Sequence, residues 1–171
     1  MLVVGLALAA FAAAATLAAL GAFATVVVEK RVVGPHRFVY RTLEGVGFRQ
    51  VGELTEQVGD ALRAAGARGI QPLDWFQPAG SEAPNEIGYA VAAEEAALLP
   101  ALDPDLHQRT IPAEHAMTVR FPFVHPLSCV VGYGKVARAL AAHRAAHAYA
   151  DGPSYTLHAG DTILYVQPVV R

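Results

Sequence analysis

The side chains able to do chemistry in this chain are few. Cys129 is the only cysteine, which excludes an intramolecular disulfide and a cysteine-based zinc cluster. It falls near the start of a predicted helix, where a thiol can be acidified, although a small buried residue is the simpler role. His143 and His147 lie four apart on that helix and could meet a metal ion, but no zincin-type Glu follows and no third ligand is evident. Neither a metal nor another cofactor is therefore expected. The acid–base groups with a strand context are Tyr155, His158 and Glu86, the set from which a hydrolase of electrophilic small molecules would have to be built. His158 can donate a hydrogen bond to a ligand or exchange a proton near neutral pH. Glu86 follows Pro84-Asn85, a context that equally caps a solvated turn. Trp75, Tyr89, Phe121, Phe123, Tyr155 and Tyr165 could line a cleft for an apolar ligand or fill the core of a sheet. Trp75 is the only tryptophan and lies beside Asp74.

Positioning these groups takes strands and helices, and the sequence carries the same order of them twice. Arg37 to Thr42 alternates as a strand, with Phe38 and Tyr40 on one face, and Val51, Leu54, Val58, Ala61, Leu62 and Ala65 form one face of an amphipathic helix ended by Gly66 and Gly69. Leu73 to Gln77 and Ile87 to Ala92 are further strands around a turn region at 78–85. In the second part His115 to Phe123 is a strand and Pro126 can open a helix. Leu127, Val130, Gly134, Ala137 and Ala141 form one face of that helix, and Ser154 to His158 and Thr162 to Val169 are strands around Ala159-Gly160-Asp161. Val39 with Val119, Pro72 with Pro153, and Ile87 with Ile163 are separated by 80, 81 and 76 residues. The spacing predicts a duplicated β-α-β-β unit, with halves at about 37–92 and 109–170. In the stretch that joins them, Glu94 to Leu99 reads as a short helix stopped by Pro100. The expected fold is α+β: an antiparallel sheet with both helices on one face and a concave surface on the other.

Bulk composition adds one more element. The 171 residues are 54% hydrophobic and 16% charged, with mean hydropathy +0.33, yet no Asp, Glu, Lys, Arg or His occurs before Glu29. As a helix, residues 2–28 would be about 40 Å long, more than the ~30 Å hydrocarbon core of a bilayer requires. Residues 1–28 are thus expected to be a transmembrane anchor in contact with membrane lipid, and 29–36 a juxtamembrane linker before a domain at 37–171. The alternative is a signal peptide cleaved near Ala24, since Ala22-Phe23-Ala24 fits the small-x-small pattern; secretion would follow. No Lys or Arg precedes the apolar run, and the run exceeds the usual 7 to 15 residues. Lys30, Arg31, Arg37 and Arg41 all follow it, which places the C-terminal domain of a single-pass protein in the cytoplasm. Net charge is -2 with pI near 6.4 and no basic run, so no nucleic-acid partner is expected.

A duplicated β-α-β-β unit of this length, with Ile87-Gly88-Tyr89 closing one half and Ile163 to Pro168 the other, resembles the GyrI-like small-molecule-binding family over roughly Arg37 to Val169. Within that family it is similar to the membrane-anchored subgroup of the testis-expressed ER-phagy receptor. The matching stretches are Phe38-Val39-Tyr40-Arg41, Gly52-Glu53-Leu54-Thr55-Glu56, Thr118-Val119-Arg120-Phe121-Pro122-Phe123, Leu127-Ser128 and Pro153. The resemblance implies a cleft between the halves and an acidic residue on the strand after the second helix, which receives cationic ligands or takes part in catalysis in a hydrolase branch. Here that stretch reads Tyr155-Thr156-Leu157-His158, with Thr156 at the acidic position and His158 at a tyrosine position. The corresponding first-half stretch, Asp74-Trp75-Phe76, is apolar where the family is acidic. An adaptor motif in a disordered tail is not expected, because Arg171 directly follows the last strand. A DNA-binding helix-turn-helix is not expected either, because no segment outside the repeat is long enough.

The expected function is therefore a membrane-held GyrI-like domain that binds a small apolar ligand or a partner protein without catalysis. Its cleft is expected to be lined by Trp75, Tyr89, Phe121, Phe123, Tyr155, His158, Tyr165 and Glu86. The alternative is a hydrolase using the same cleft.

Overall fold

The computed structural model describes residues 2–43, 48–77, 81–92 and 104–170, apart from the side chains of Leu2, Val3, Val4, Ala7, Leu8 and Phe48. The described elements are α1 (Leu2–Ala19), β1 (Glu29–Val33), β2 (His36–Leu43), α2 (Phe48–Ala64), β3 (Gln71–Phe76), β4 (Asn85–Val91), β5 (His107–Ile111), β6 (Glu114–Pro122), α3 (Leu127–Ala146), β7 (Ser154–Ala159) and β8 (Thr162–Pro168). All eight strands form one antiparallel sheet in the order β1-β6-β8-β7-β3-β4-β2-β5. The expected units, β2-α2-β3-β4 and β6-α3-β7-β8, join at the central β3·β7 pair.

Two strands escape the sequence pattern. β1 occupies most of the stretch expected to be a linker over 29–36, and β5 lies at the end of the stretch expected to join the halves. The Glu94 to Leu99 helix expectation lies outside the described residues. Both missed strands are five-residue sheet edges with the same inward profile, buried only at Val33 and Ile111. Polar, one-sided edge strands lack the alternation that marks a central strand. The repeat is therefore β-β-α-β-β, and each unit lends its first strand to the other: β1 pairs with β6, and β5 with β2.

Strand parity sorts the side chains onto two faces. Arg41, Ile87, Asp74, Thr156, Tyr165 and Val119 are cross-strand neighbours on the helix-bearing face. Thr42, Glu86, Trp75, Tyr155, Val166 and Thr118 form the matching row on the other. That second face is not the open concave surface expected. The sheet curls over it, and Val33, Phe38, Leu73, Ile111, Ala116, Tyr155, Leu157 and Val166 fill it as core.

Each helix covers one half. On α2 the expected face is the one that faces the sheet, with Val58 and Leu62 fully buried against Val39, Tyr89 and Val91. On α3 the expected face is reversed. Ser128, Gly132, Val136 and Leu140 are buried, while Leu127, Val130, Gly134, Ala137 and Ala141 are exposed. Val, Ala and Gly occupy every side of this helix, so periodicity could not choose its inner face. Close approach chose it: a Cβ on Gly132 would lie 2.8 Å from both Phe121 and the Tyr165 hydroxyl. Gly59 of α2 meets the Tyr89 hydroxyl in the same way.

The apolar N-terminus also divides. Among the described residues no helix is long and apolar enough to cross a membrane. α1 ends at Ala19 after 18 residues, and the chain then turns onto the domain. Gly21 packs on Phe121 and Pro122, Ala24, Val26 and Val28 join the core beneath α3, and Lys135 Nζ donates to the carbonyl oxygens of Ala22 and Ala24 at 2.7 Å each. Every described side chain from Gly5 to Ala19 is exposed.

Candidate functional site

The eight residues expected to line one cleft are divided by strand parity. Trp75, Tyr155 and Glu86 share the enclosed face, whereas Tyr89, Phe121, Phe123, His158 and Tyr165 belong to the helix-bearing side. A hydrolase that uses Tyr155, Glu86 and His158 on one substrate is incompatible with that division. Trp75 and Tyr155 do meet, stacked with centroids 5.3 Å apart, but as core: Tyr155 is 1% exposed and burial pushes its hydroxyl pKa well up. Above them Arg109 lies 4.3 Å from the Trp75 ring centroid and 5.5 and 5.4 Å from those of Phe38 and Tyr40. Its Nη2 sits 2.6 Å from Glu86 Oε2. Glu86 is thus a buried ion-pair partner, not the cap of a solvated turn. Burial raises its pKa, with Arg109 and then His107 opposing.

On the helix-bearing face, Tyr89, Phe121 and Tyr165 are buried beneath the helices and act as supports between helix and sheet. α2 rests on β2 and β4, and α3 on β6, so the seam of the central strands β3 and β7 lies between the two helices. At its middle lies a residue that the sequence had shown only as a neighbour of Trp75. Asp74 pairs in register with Thr156, is 8% exposed, and has an Oδ1 with no hydrogen-bond partner among the described residues. Its Oδ2 is 3.7 Å from His158 Nε2, and the His158 ring meets Phe123 edge-on at 5.1 Å. Cys129 is half-buried in the first turn of α3. Burial first, and then the Asp74 charge, raise the Cys129 pKa. Both causes disfavour the thiolate, the form that acts as a nucleophile.

A carboxylate thus stands on the opposite strand, directly across from Thr156. The one-residue alternation that puts Trp75 on the enclosed face puts Asp74 on the helix-bearing face. Counting parity from Thr156 across an antiparallel partner would have found it; comparing positions along one strand did not. Among the described residues no cluster of His, Cys, Asp and Glu could hold a metal ion. His143 and His147 stack on each other with centroids 4.1 Å apart.

Comparison with known proteins bears on the fold. No protein-family model matches the sequence, and no curated protein matches it significantly. Among solved structures, the EcmrR C-terminal domain superposes with TM-score 0.61 at 10% identity, covering 85% of this chain and 98% of that one. EcmrR in a DNA complex gives 0.62 at 12% identity, and there the match spans 58% of that chain. A Staphylococcus aureus MU50 protein described as a bacterial transcription regulator gives 0.54 at 12% identity, covering 85% and 99%. At such identities the likeness establishes the fold alone. It supports the α+β architecture, an antiparallel sheet with helices packed on one face, that was expected from the repeat. The expectation that nucleic acid is excluded gains no support from it.

Proposed function

We propose that this chain is a non-catalytic binding module for a small molecule with an apolar body and a cationic or hydrogen-bond-donating head. The ligand would be seated between α2 and α3. The observation that carries this is the Asp74 carboxylate at the centre of the β3·β7 seam, with one oxygen unpartnered. A buried acceptor left without a partner costs about 1–3 kcal/mol, and a donor supplied by a ligand would remove that cost. Phe123 and His158 offer flat contact area beside it. The apolar ligand first expected is thereby refined to one with a polar head. Absence of catalysis is supported by the division of Tyr155, Glu86 and His158 between two faces and by the raised Cys129 pKa.

The module is held at a membrane by α1 in this proposal, with the membrane segment shortened to residues 2–19, since 20–28 fold onto the domain; at 18 residues α1 is about 27 Å long, short of the ~30 Å hydrocarbon core, so its insertion requires local thinning of the bilayer. The uninterrupted apolar sequence of α1 and the exposure of its described side chains support this, as does the shared order of one helix before a GyrI-like domain in the anchored subgroup. The basic residues Lys30, Arg31, Arg37 and Arg41 support a cytoplasmic domain. A reporter fused after Arg171 that is active only outside the cytoplasm would overturn that orientation.

Binding is tested on the full chain in lipid nanodiscs, with tetraphenylphosphonium as probe and Asp74→Asn in identical discs as the control for partition into lipid. Saturable binding weakened by roughly 10-fold or more in the variant is expected, since the phosphonium cation, which has no hydrogen-bond donor, would lose its buried counter-charge, worth about 3–5 kcal/mol. Equal binding by both proteins, or none by either, would overturn the assignment.

A further inference from the structure

The outward face of α3 is the largest departure from the pattern of the first half. α2 presents Arg49, Glu53, Glu56 and Asp60 to water. At the same place in the second half, α3 presents Leu127, Val130 and Tyr133, which are 52%, 50% and 62% exposed, followed by Gly134, Ala137 and Ala141. Val124 and Phe23, at 67% and 72% exposed, extend the apolar surface toward the foot of α1. α3 also has Lys135, Arg138 and Arg144 but no Asp or Glu, in a chain whose net charge is -2.

We infer that this face of α3 is a docking surface for an anionic lipid bilayer, laying the domain directly on the membrane. The inference rests on the proposal that α1 is membrane-inserted, and three observations carry it further. First, no free linker separates α1 from the domain. Helix α1 ends at Ala19, and by Gly21 to Ala24 the chain is already held to Phe121, Pro122 and Lys135 of the β6–α3 side. An inserted α1 therefore brings α3 to the interface by chain connectivity. Second, large apolar side chains that are half-exposed or more form a contiguous surface at that point, which marks an interaction site. Third, an exposed stripe with Leu, Val and Tyr beside Arg138, on a helix without carboxylates, has the composition that binds the headgroup and acyl boundary of anionic membranes. In this pose Arg138 meets lipid phosphates, Lys135 and Arg144 being held by the Ala22 and Ala24 carbonyls and by Asp151, and the charged face of α2 remains in water.

The test uses the full chain with Cys129→Ala and a single bimane-labelled cysteine at either Val130→Cys or Glu56→Cys. It is reconstituted in phosphatidylcholine–phosphatidylglycerol vesicles that contain doxyl-labelled lipid. Quenching several-fold stronger at 130 than at 56 is expected, and it should weaken when phosphatidylglycerol is omitted. An alkaline carbonate wash reports separately on α1, and release of the protein overturns the anchor. Retention with an unquenched probe at 130 leaves the anchor standing and overturns docking. Efficient disulfide formation between two unlabelled Val130→Cys chains at high dilution in lipid also overturns it, because a second copy would then cover the stripe.

Discussion

Replacing Asp74 by leucine should make the protein more stable while weakening its ligand binding. The carboxylate is 8% exposed, its Oδ1 has no partner, and its Oδ2 approaches His158 Nε2 only to 3.7 Å, beyond hydrogen-bond distance. The unsatisfied acceptor costs about 1–3 kcal/mol. The contact with His158 returns at most about 1 kcal/mol. Asp74→Leu should therefore gain roughly 0.5–2 kcal/mol, since one charged side chain is exchanged for an apolar one of similar length in a buried site flanked by Ile87 and Thr156. For a chain of this size, that corresponds to an increase in Tm of about 2–4 °C per kcal/mol. Asp74→Asn, which keeps a polar group there, should change stability little. Both variants should bind tetraphenylphosphonium roughly 10-fold or more weakly. Cys129 offers an internal check, because the Asp74 charge is one of the two causes that raise its pKa. Removing the charge should shift the pH profile of Cys129 alkylation to lower pH, with burial still holding it above that of a free thiol. Urea unfolding and alkylation rates measure these effects. A loss of 2 kcal/mol or more in Asp74→Leu, with binding intact, would refute the reasoning by making the carboxylate a structural group.

Other substitutions test the scaffold. Gly134→Ala meets nothing within 4 Å and should gain up to about 1 kcal/mol from helix propensity. Gly132→Ala, two residues away on the inner face, should lose about 1–3 kcal/mol by overpacking against Phe121 and Tyr165, as denaturant midpoints will show. Arg109→Leu strands Glu86 and removes the cation above Trp75. A loss of about 1–3 kcal/mol with a changed Trp75 emission is expected, moderated by the partial exposure of Arg109, and adding Glu86→Leu should restore part of it. Burial lowers the pKa of His36 from its ordinary 6.5. The unfolded chain thus takes up this proton first, and stability should fall as pH drops below about 6.5 toward the folded-state value. Unfolding in His36→Phe between pH 7 and 5 should lack that slope.

How far local pattern reached depended on burial. β2, α2, β3, β4, β6, β7 and β8 were legible because each has one buried face, which imposes a period on the sequence. β1 and β5 were not, because an edge strand bonded on one side can keep Glu29, Lys30, His107 and Gln108 in water. The face of α3 was misassigned for the opposite reason: Leu127, Val130 and Ala137 are as apolar as Val136 and Leu140. Of the expected site residues, His158 lies beside Asp74 and Phe123 packs against the His158 ring. Tyr89, Phe121 and Tyr165 became helix supports, and Trp75, Tyr155 and Glu86 turned inward.

The amino-acid sequence by itself determined the number of halves, the β-α-β-β part of each and the apolar N-terminus, because these follow from periods of two and 3.6 residues and from unbroken runs without charge. Tertiary structure alone decided which strands exchange between the halves, which side of α3 faces the sheet and which carboxylate stands at the centre. Each of these depends on the cross-strand register, since a shift of one residue exchanges the two faces of a strand. Register at β3·β7 set Asp74 opposite Thr156, and so placed the acidic group on the strand where motif comparison had not found it.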